Sequence, residues 1–125
     1  MDEKLVKSAQ GLRFPEAVAQ FTEAGVVRYV VDLIRFERTL YGSDDETLQD
    51  EIALDPMQEV AQRFSEAGVK AALKSVQAGK ITYPEFLQQI MDAGVACYSV
   101  YINGRKVIYT GRDGGELVEP FPGGK

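Results

Sequence analysis

The chain has 125 residues, 45% of them apolar, which is one domain's worth of polypeptide around a single core. It contains no histidine, no tryptophan and one cysteine, so histidine triads, histidine metal sites, CxxC redox pairs and internal disulfides are excluded by count. Fourteen Lys and Arg against nineteen Asp and Glu give a net charge of −5, which opposes the phosphate neutralisation that nucleic-acid binding requires.

At the N-terminus, Leu5, Ala9 and Leu12 predict a first helix. No apolar run follows the charges of Met1 to Gln10, and the longest uncharged stretch, Ala93 to Gly104, has twelve residues against the ~20 needed to cross a bilayer. A soluble, cytoplasmic protein with no membrane partner is expected, and a free cysteine fits a reducing compartment. Phe14, Val18 and Phe21 then fall on one helical stripe that ends at Ala24-Gly25, where glycine supplies a left-handed stop. Arg13 stands where a cap should be, so the start of this helix is weakly specified. A hairpin follows, but its centre, Leu33-Ile34-Arg35-Phe36, lacks a strong turn dipeptide.

Ser43 to Glu51 reads as an acidic loop. Met57, Val60, Ala61 and Phe64 make one helical stripe and Val69, Ala72, Leu73 and Val76 a second, with Gly68 between them, which predicts a helical-hairpin insert over 56–79. Thr82 and Glu85 have capping-box spacing, Pro84 suits the first helical turn, and Tyr83, Phe86, Leu87 and Ile90 share a stripe up to Ala93-Gly94. The period then becomes two. Tyr98, Val100 and Ile102 alternate with Cys97, Ser99 and Tyr101, and Asn103-Gly104 predicts a type I′ hairpin that pairs Ile102 with Arg105, Val100 with Val107 and Tyr98 with Tyr109 on one apolar face. The other face, with Cys97, Ser99, Tyr101, Lys106, Ile108 and Thr110, is mixed enough to meet water or another chain. Glu116 to Glu119 is a third strand, ended by Pro120, Pro122 and Gly123-Gly124.

Sliding the chain against itself by 69 residues aligns 12–48 with 81–117 without a gap, and eleven of the 37 positions are identical, where chance gives about two. Pro15/Pro84, Glu16/Glu85, Gly25/Gly94, Tyr29/Tyr98 and Gly42/Gly111 are among them. The expected fold is α+β: a single domain over 1–125 in which two duplicated helix-hairpin halves form an antiparallel sheet, helices on one face, with the helical insert between the halves. Unchanged register would turn Arg38 inward at the place of Val107. A buried guanidinium needs a carboxylate, so either the first turn is remodelled or Arg38 pairs with an acid such as Glu16 or Glu85.

Little in the sequence carries chemistry. Gly79 to Phe86 has the spacing of half an EF-hand, but Lys74, Val76 and Ala78 occupy the ligand positions. The helix pair around Gly68 would read DNA with three lysines and no arginine on an acidic protein. The acidic run Asp44, Asp45, Glu46, Asp50 and Glu51 lacks the glycine of a calcium loop, and Cys97 has no histidine to activate it. No metal or cofactor is expected. Glu16 and Glu85, at matching helix starts, are the candidates for a ligand-binding carboxylate pair, with Arg38 beside them, although a carboxylate in the first helical turn is already explained by the helix dipole. Tyr101, on the less apolar sheet face, is the candidate interface residue.

Phe14-Pro15-Glu16, the Ala24-Gly25-Val26 segment running through Tyr29 and Val31-Asp32, Tyr41-Gly42, the Gly104-Arg105 strand with Val107 and Tyr109, and Val118-Glu119-Pro120 resemble the YdfO/YbcV-like family of small bacterial and prophage proteins. The likeness runs from about Leu5 to Pro122. It implies a domain of unknown function, with a phage-envelope-protein-like label, and transfers no catalytic residue. Two readings follow: a non-catalytic binding or accessory module, working through a protein partner or self-association at the Tyr101 face or a sheet edge, or a small-ligand binder or enzyme with a carboxylate site between the repeats. The absence of histidine, metal ligands and nucleotide loops favours the module.

Overall fold

The computed structural model describes residues 1–9, 12–54 and 58–121. Among them are four helices, α1 (Glu3–Ser8), α2 (Phe14–Ala24), α3 (Glu66–Gln77) and α4 (Tyr83–Asp92), and six strands, β1 (Val26–Asp32), β2 (Glu37–Gly42), β3 (Thr47–Glu51), β4 (Val95–Tyr101), β5 (Lys106–Gly111) and β6 (Glu116–Pro120). The strands form one antiparallel sheet in the order β3-β2-β1-β4-β5-β6, joined at its centre by β1 and β4. The fold is α+β with the helices on one face.

That face is apolar because alternate strand residues point to it. Tyr29, Val31, Leu40, Tyr98, Val100, Val107, Tyr109 and Leu117 are all buried there. The helices press down on the same layer. The Phe21 ring of α2 meets Tyr29 at 5.1 Å and the Phe86 ring of α4 meets Tyr109 at 6.5 Å, both edge to face. Leu87, Ile90 and Met91 are sealed beneath α4, each contributing roughly 1.5–3 kcal/mol by leaving water. Among the described residues the buried side chains are aliphatic, aromatic or methionine, and the polar groups they carry are the tyrosine hydroxyls.

The start of α4 forms as its spacing requires. Thr82 accepts from the Glu85 amide and Glu85 accepts from the Thr82 amide, a complete capping box. α2 begins at Arg13 without a side-chain cap. The first helix is shorter than its apolar spacing predicts: α1 stops at Ser8, Ala9 is its C-cap, and Leu12 lies outside it, 38% exposed.

Several local expectations are corrected. Residues 58–65 are not helical, and Met57 lies outside the described residues. Instead this segment runs along α4, with Ala61 N donating to Met91 O at 3.0 Å, Ser65 N to Ala93 O at 2.7 Å and Arg112 Nε to Val60 O at 3.3 Å. Val60 is buried and Phe64 half-buried, so the apolar spacing records contact with neighbours, and these backbone bonds to α4 replace helical ones. Gly68 does not separate two helices; it sits in the first turn of α3, where a Cβ would come within 2.9 Å of the Ala93 Cβ. The acidic stretch is a loop only up to Glu46, since Thr47–Glu51 pairs with β2 as an edge strand. Pro122, Gly123 and Gly124, expected as a terminating tail, lie outside the described residues.

The hairpin turns also differ from expectation. Val100 pairs with Val107 and Tyr98 with Tyr109, but the ladder ends at Tyr101 and Lys106. Arg105 N donates to Ile102 O at 3.3 Å, and positive φ falls on Arg105 (55°), not on Asn103 or Gly104, so the turn is not type I′. Phe36 has the same φ of 55° in the first hairpin. The Asn-Gly dipeptide is therefore not what the geometry demands, and its absence from the first hairpin leaves the register unchanged: Arg38 opposes Val31 as Val107 opposes Val100. Asp45, at φ 65° in the β2–β3 turn, stands 69 positions before Gly114, at φ 86° in the β5–β6 turn. Asp45→Gly is expected to stabilise the protein by roughly 0.5 kcal/mol, read as a rise in the urea midpoint.

The bounds of β4, β5 and β6 are those of β1, β2 and β3 plus 69. The helices extend the correspondence. Asp2, N-cap of α1, donates its amide to Ala24 O at the end of α2, as Ser65, N-cap of α3, does to Ala93 O at the end of α4. α1 packs on α2 as α3 packs on α4, so α3 occupies in the second half the place that α1 has in the first.

Candidate functional site

Glu85 is committed to its capping box, and the hydrogen bond from the Thr82 amide holds its carboxyl below the ordinary glutamate range. Glu16 is exposed in the first turn of α2, where a carboxylate faces the positive end of the helix dipole. Arg38 does point inward, but it pairs with neither glutamate. Its partner is Asp50, directly opposite on β3: Nε donates to Oδ1 at 3.0 Å and Nη2 to Oδ2 at 2.5 Å. Burial disfavours the Arg38 charge, and the hydrogen bonds and charge of Asp50 outweigh this, raising its pKa above the ordinary arginine value. The structure thus joins Arg38 to Asp50 and gives Glu85 a partner of its own. Neither of two shallow hollows, of about 430 Å³ against Phe14, Arg105 and Phe121 and about 570 Å³ against Arg35, Phe36, Glu37, Glu51 and Ile52, is lined by Glu16, Glu85 or Arg38.

The Arg38–Asp50 pair has a testable energetic consequence. Asp50→Ala leaves a half-buried guanidinium without its carboxylate and is expected to cost about 1–2 kcal/mol, whereas Arg38→Met keeps the packing over the Phe21 ring and costs about 1 kcal/mol or less. In the Arg38→Met background, Asp50→Ala is expected to be close to neutral, which urea titrations of the four chains measure.

Tyr101 lies elsewhere, on the outer face of the sheet. Alternation sends three residues of every strand outward, and the pairing aligns them into three rows across six strands. One row reads Thr47, Tyr41, Arg28, Tyr101, Lys106, Pro120. The middle row reads Gln49, Thr39, Val30, Ser99, Ile108, Val118. The third reads Glu51, Glu37, Asp32, Cys97, Thr110, Glu116. No outward side chain of the six strands is buried, and Val118 is 48% exposed.

The charges are sorted by row. Arg28 and Lys106 occupy the first row, with the Arg28 guanidinium 3.7 Å from the centre of the Tyr41 ring. Asp32, Glu37, Glu51 and Glu116 occupy the third, and Glu37 and Glu51 oppose one another directly, an unfavourable cross-strand pair. Burial and the neighbouring Asp32 push the Cys97 thiol up, which works against its use as a nucleophile near neutral pH.

The two faces differ in what is shared at positions 69 apart. Inward, Val26/Val95, Tyr29/Tyr98, Val31/Val100, Gly42/Gly111 and Leu48/Leu117 are identical. Outward, every strand pair differs: Arg28/Cys97, Val30/Ser99, Asp32/Tyr101, Glu37/Lys106, Thr39/Ile108, Tyr41/Thr110, Thr47/Glu116, Gln49/Val118 and Glu51/Pro120. Sequence reasoning reaches Tyr101 but not Arg28, Asp32 and Glu37, because no turn dipeptide in the first hairpin fixes which alternate residues face outward.

No helix among the described residues is long and apolar enough to cross a membrane. Comparison with curated proteins found no match. A family model described as a protein of unknown function, DUF1398, matches residues 3–119, and the chain belongs to that family.

Proposed function

We propose that the chain is a non-catalytic binding or accessory module whose working surface is the outer face of the sheet. One observation carries this reading: the halves share residues on the inward face of the strands and none on the outward face, so the buried layer follows a common packing rule while the exposed layer follows another. Duplication of an ααβββ unit within a single domain accounts for the shared layer. The edges are poor alternatives. β3 carries Asp50 and Glu51, and β6 carries Glu116, Glu119 and Pro120, charges and a proline that discourage strand addition.

This reading places the protein in the cytoplasm, with the YdfO/YbcV-like likeness adding a prophage setting, and takes the partner to be a protein. The test is capture from a bacterial lysate by the wild-type chain and by Ser99→Arg, a change at the centre of the outer face that touches no core residue. Binding through this face predicts that Ser99→Arg abolishes capture while Glu16→Ala leaves it intact. Loss with Glu16→Ala and not with Ser99→Arg would instead support a ligand site around the helix starts.

A further inference from the structure

We infer that the partner of the outer face is a second copy of this chain, packed sheet against sheet about a twofold axis that runs along the middle row. The inference rests on the outer face being the binding surface and adds what covers it. Three rows fix the geometry. A twofold axis along the strands would lay the first row on the first row of the other copy, bringing Arg28 and Lys106 toward their own kind. A twofold axis across the strands, along the middle row, lays the first row on the third.

Each strand then lies over its own copy running the opposite way, so Arg28 of one chain faces Asp32 of the other and Asp32 faces Arg28, the reciprocal pattern of an isologous interface. Lys106 comes within one strand spacing of Glu116, and Tyr41 comes over Glu37. Val30 and Ile108 meet their own copies at the axis, giving the interface an apolar centre.

The difference in charge between the halves adds to this pairing. Lys106 stands 69 positions after Glu37, and a carboxylate at 106 would have come near Glu116 of the other copy and opposed the association. Within one chain Arg28 and Asp32 are two rows apart, about 13 Å along β1, too far to pair with each other. Asp32 Oδ1 accepts from the amides of Ile34 and Arg35, and Glu37 is paired with Arg35 in the turn. These contacts hold the carboxylates in place at the third row. Six strands about 4.8 Å apart, each presenting five residues or about 17 Å of its length, give a footprint of about 500 Å² per chain. That is below the ~800 Å² of a standard interface and corresponds to reversible association.

The experiment is sedimentation equilibrium over a wide concentration range for the wild type, Arg28→Glu, Asp32→Arg and an equimolar mixture of the two variants, with urea midpoints confirming that each folds. A concentration-dependent dimer is expected for the wild type, at least ~tenfold weaker in each variant alone because like charges then meet. The mixture is expected to regain the dimer, since each variant supplies the sign the other lacks. Lys106→Glu and Glu116→Lys repeat the test at a second, exposed pair should either β1 variant fold poorly. A wild type that remains monomeric, variants that associate like the wild type, or a mixture that stays monomeric would each overturn the proposal. If the wild type is monomeric and Ser99→Arg still abolishes capture from lysate, self-pairing fails while the outer face stands as the binding surface.

Discussion

Gly94→Ala is expected to destabilise the protein by about 3 kcal/mol or more, while Gly25→Ala, at the matching helix end, costs only about 1 kcal/mol. Both glycines follow the end of a helix in the left-handed region, at φ 88° and 93°. An alanine in that region costs about 1–2 kcal/mol by itself. The difference lies in what covers each site. A Cβ on Gly25 meets nothing nearer than the Met1 Cα at 3.9 Å, but a Cβ on Gly94 would stand 2.2 Å from the Arg63 carbonyl oxygen and 2.8 Å from the Phe64 Cα. Backbone cannot rotate away as a side chain can, so the 58–65 segment must lift and strain its bonds to Met91 and Ala93. Urea unfolding of the two variants measures the gap, and equal costs would mean that the segment does not lie against Gly94.

Raising the pH above about 10 is expected to unfold the protein steeply, with tyrosine ionisation and loss of structure occurring together. Tyr29, Tyr98 and Tyr109 are buried, and burial, as the largest cause in each case, pushes their hydroxyls well above the ordinary tyrosine value. The folded state therefore keeps protons that the unfolded chain releases. The resulting stability is complete below the unfolded value of about 10 and is lost as the pH rises from there through the folded values, at about 1.4 kcal/mol per pH unit for each group and about 4 kcal/mol for three. Urea titrations across this window, followed together with tyrosinate absorbance, measure the slope. Tyr109→Phe should remove about a third of it.

How much of this was legible in the residues depends on how local the cause was. Thr82, Glu85 and Pro84 specify the start of α4 within one turn, and the alternation of Tyr98, Val100 and Ile102 specifies an inward face because side-chain direction repeats every two residues. The 58–65 segment mimics a helix because Val60 and Phe64 are apolar for contacts made with α4 and the sheet end, and spacing alone does not distinguish these from a helical stripe. β3 was hidden in an acidic stretch, since its inward positions are Leu48 and Asp50, and Asp50 is tolerated there only because Arg38 lies opposite. The same pairing explains why the sequence offers Glu16 and Glu85 as partners for Arg38: the true acid belongs to a strand whose acidic composition resembles a loop. The sorting of charge by row lay furthest from local sequence. It depends on β1 pairing with β4, which brings Arg28 beside Tyr101 and Asp32 beside Cys97 across most of the chain.

Cys97 offers the most direct measurement, because the chain's single thiol lies on the outer face and opposite no helix. Its rate of alkylation by a neutral maleimide can be followed at fixed pH from dilute to concentrated protein, and again in bacterial lysate. Occlusion of the outer face by a partner predicts that the rate falls in at least one series, in the first if the partner is a second copy. A rate unchanged with concentration and unchanged in lysate would mean that nothing docks on the sheet, and would contradict the account.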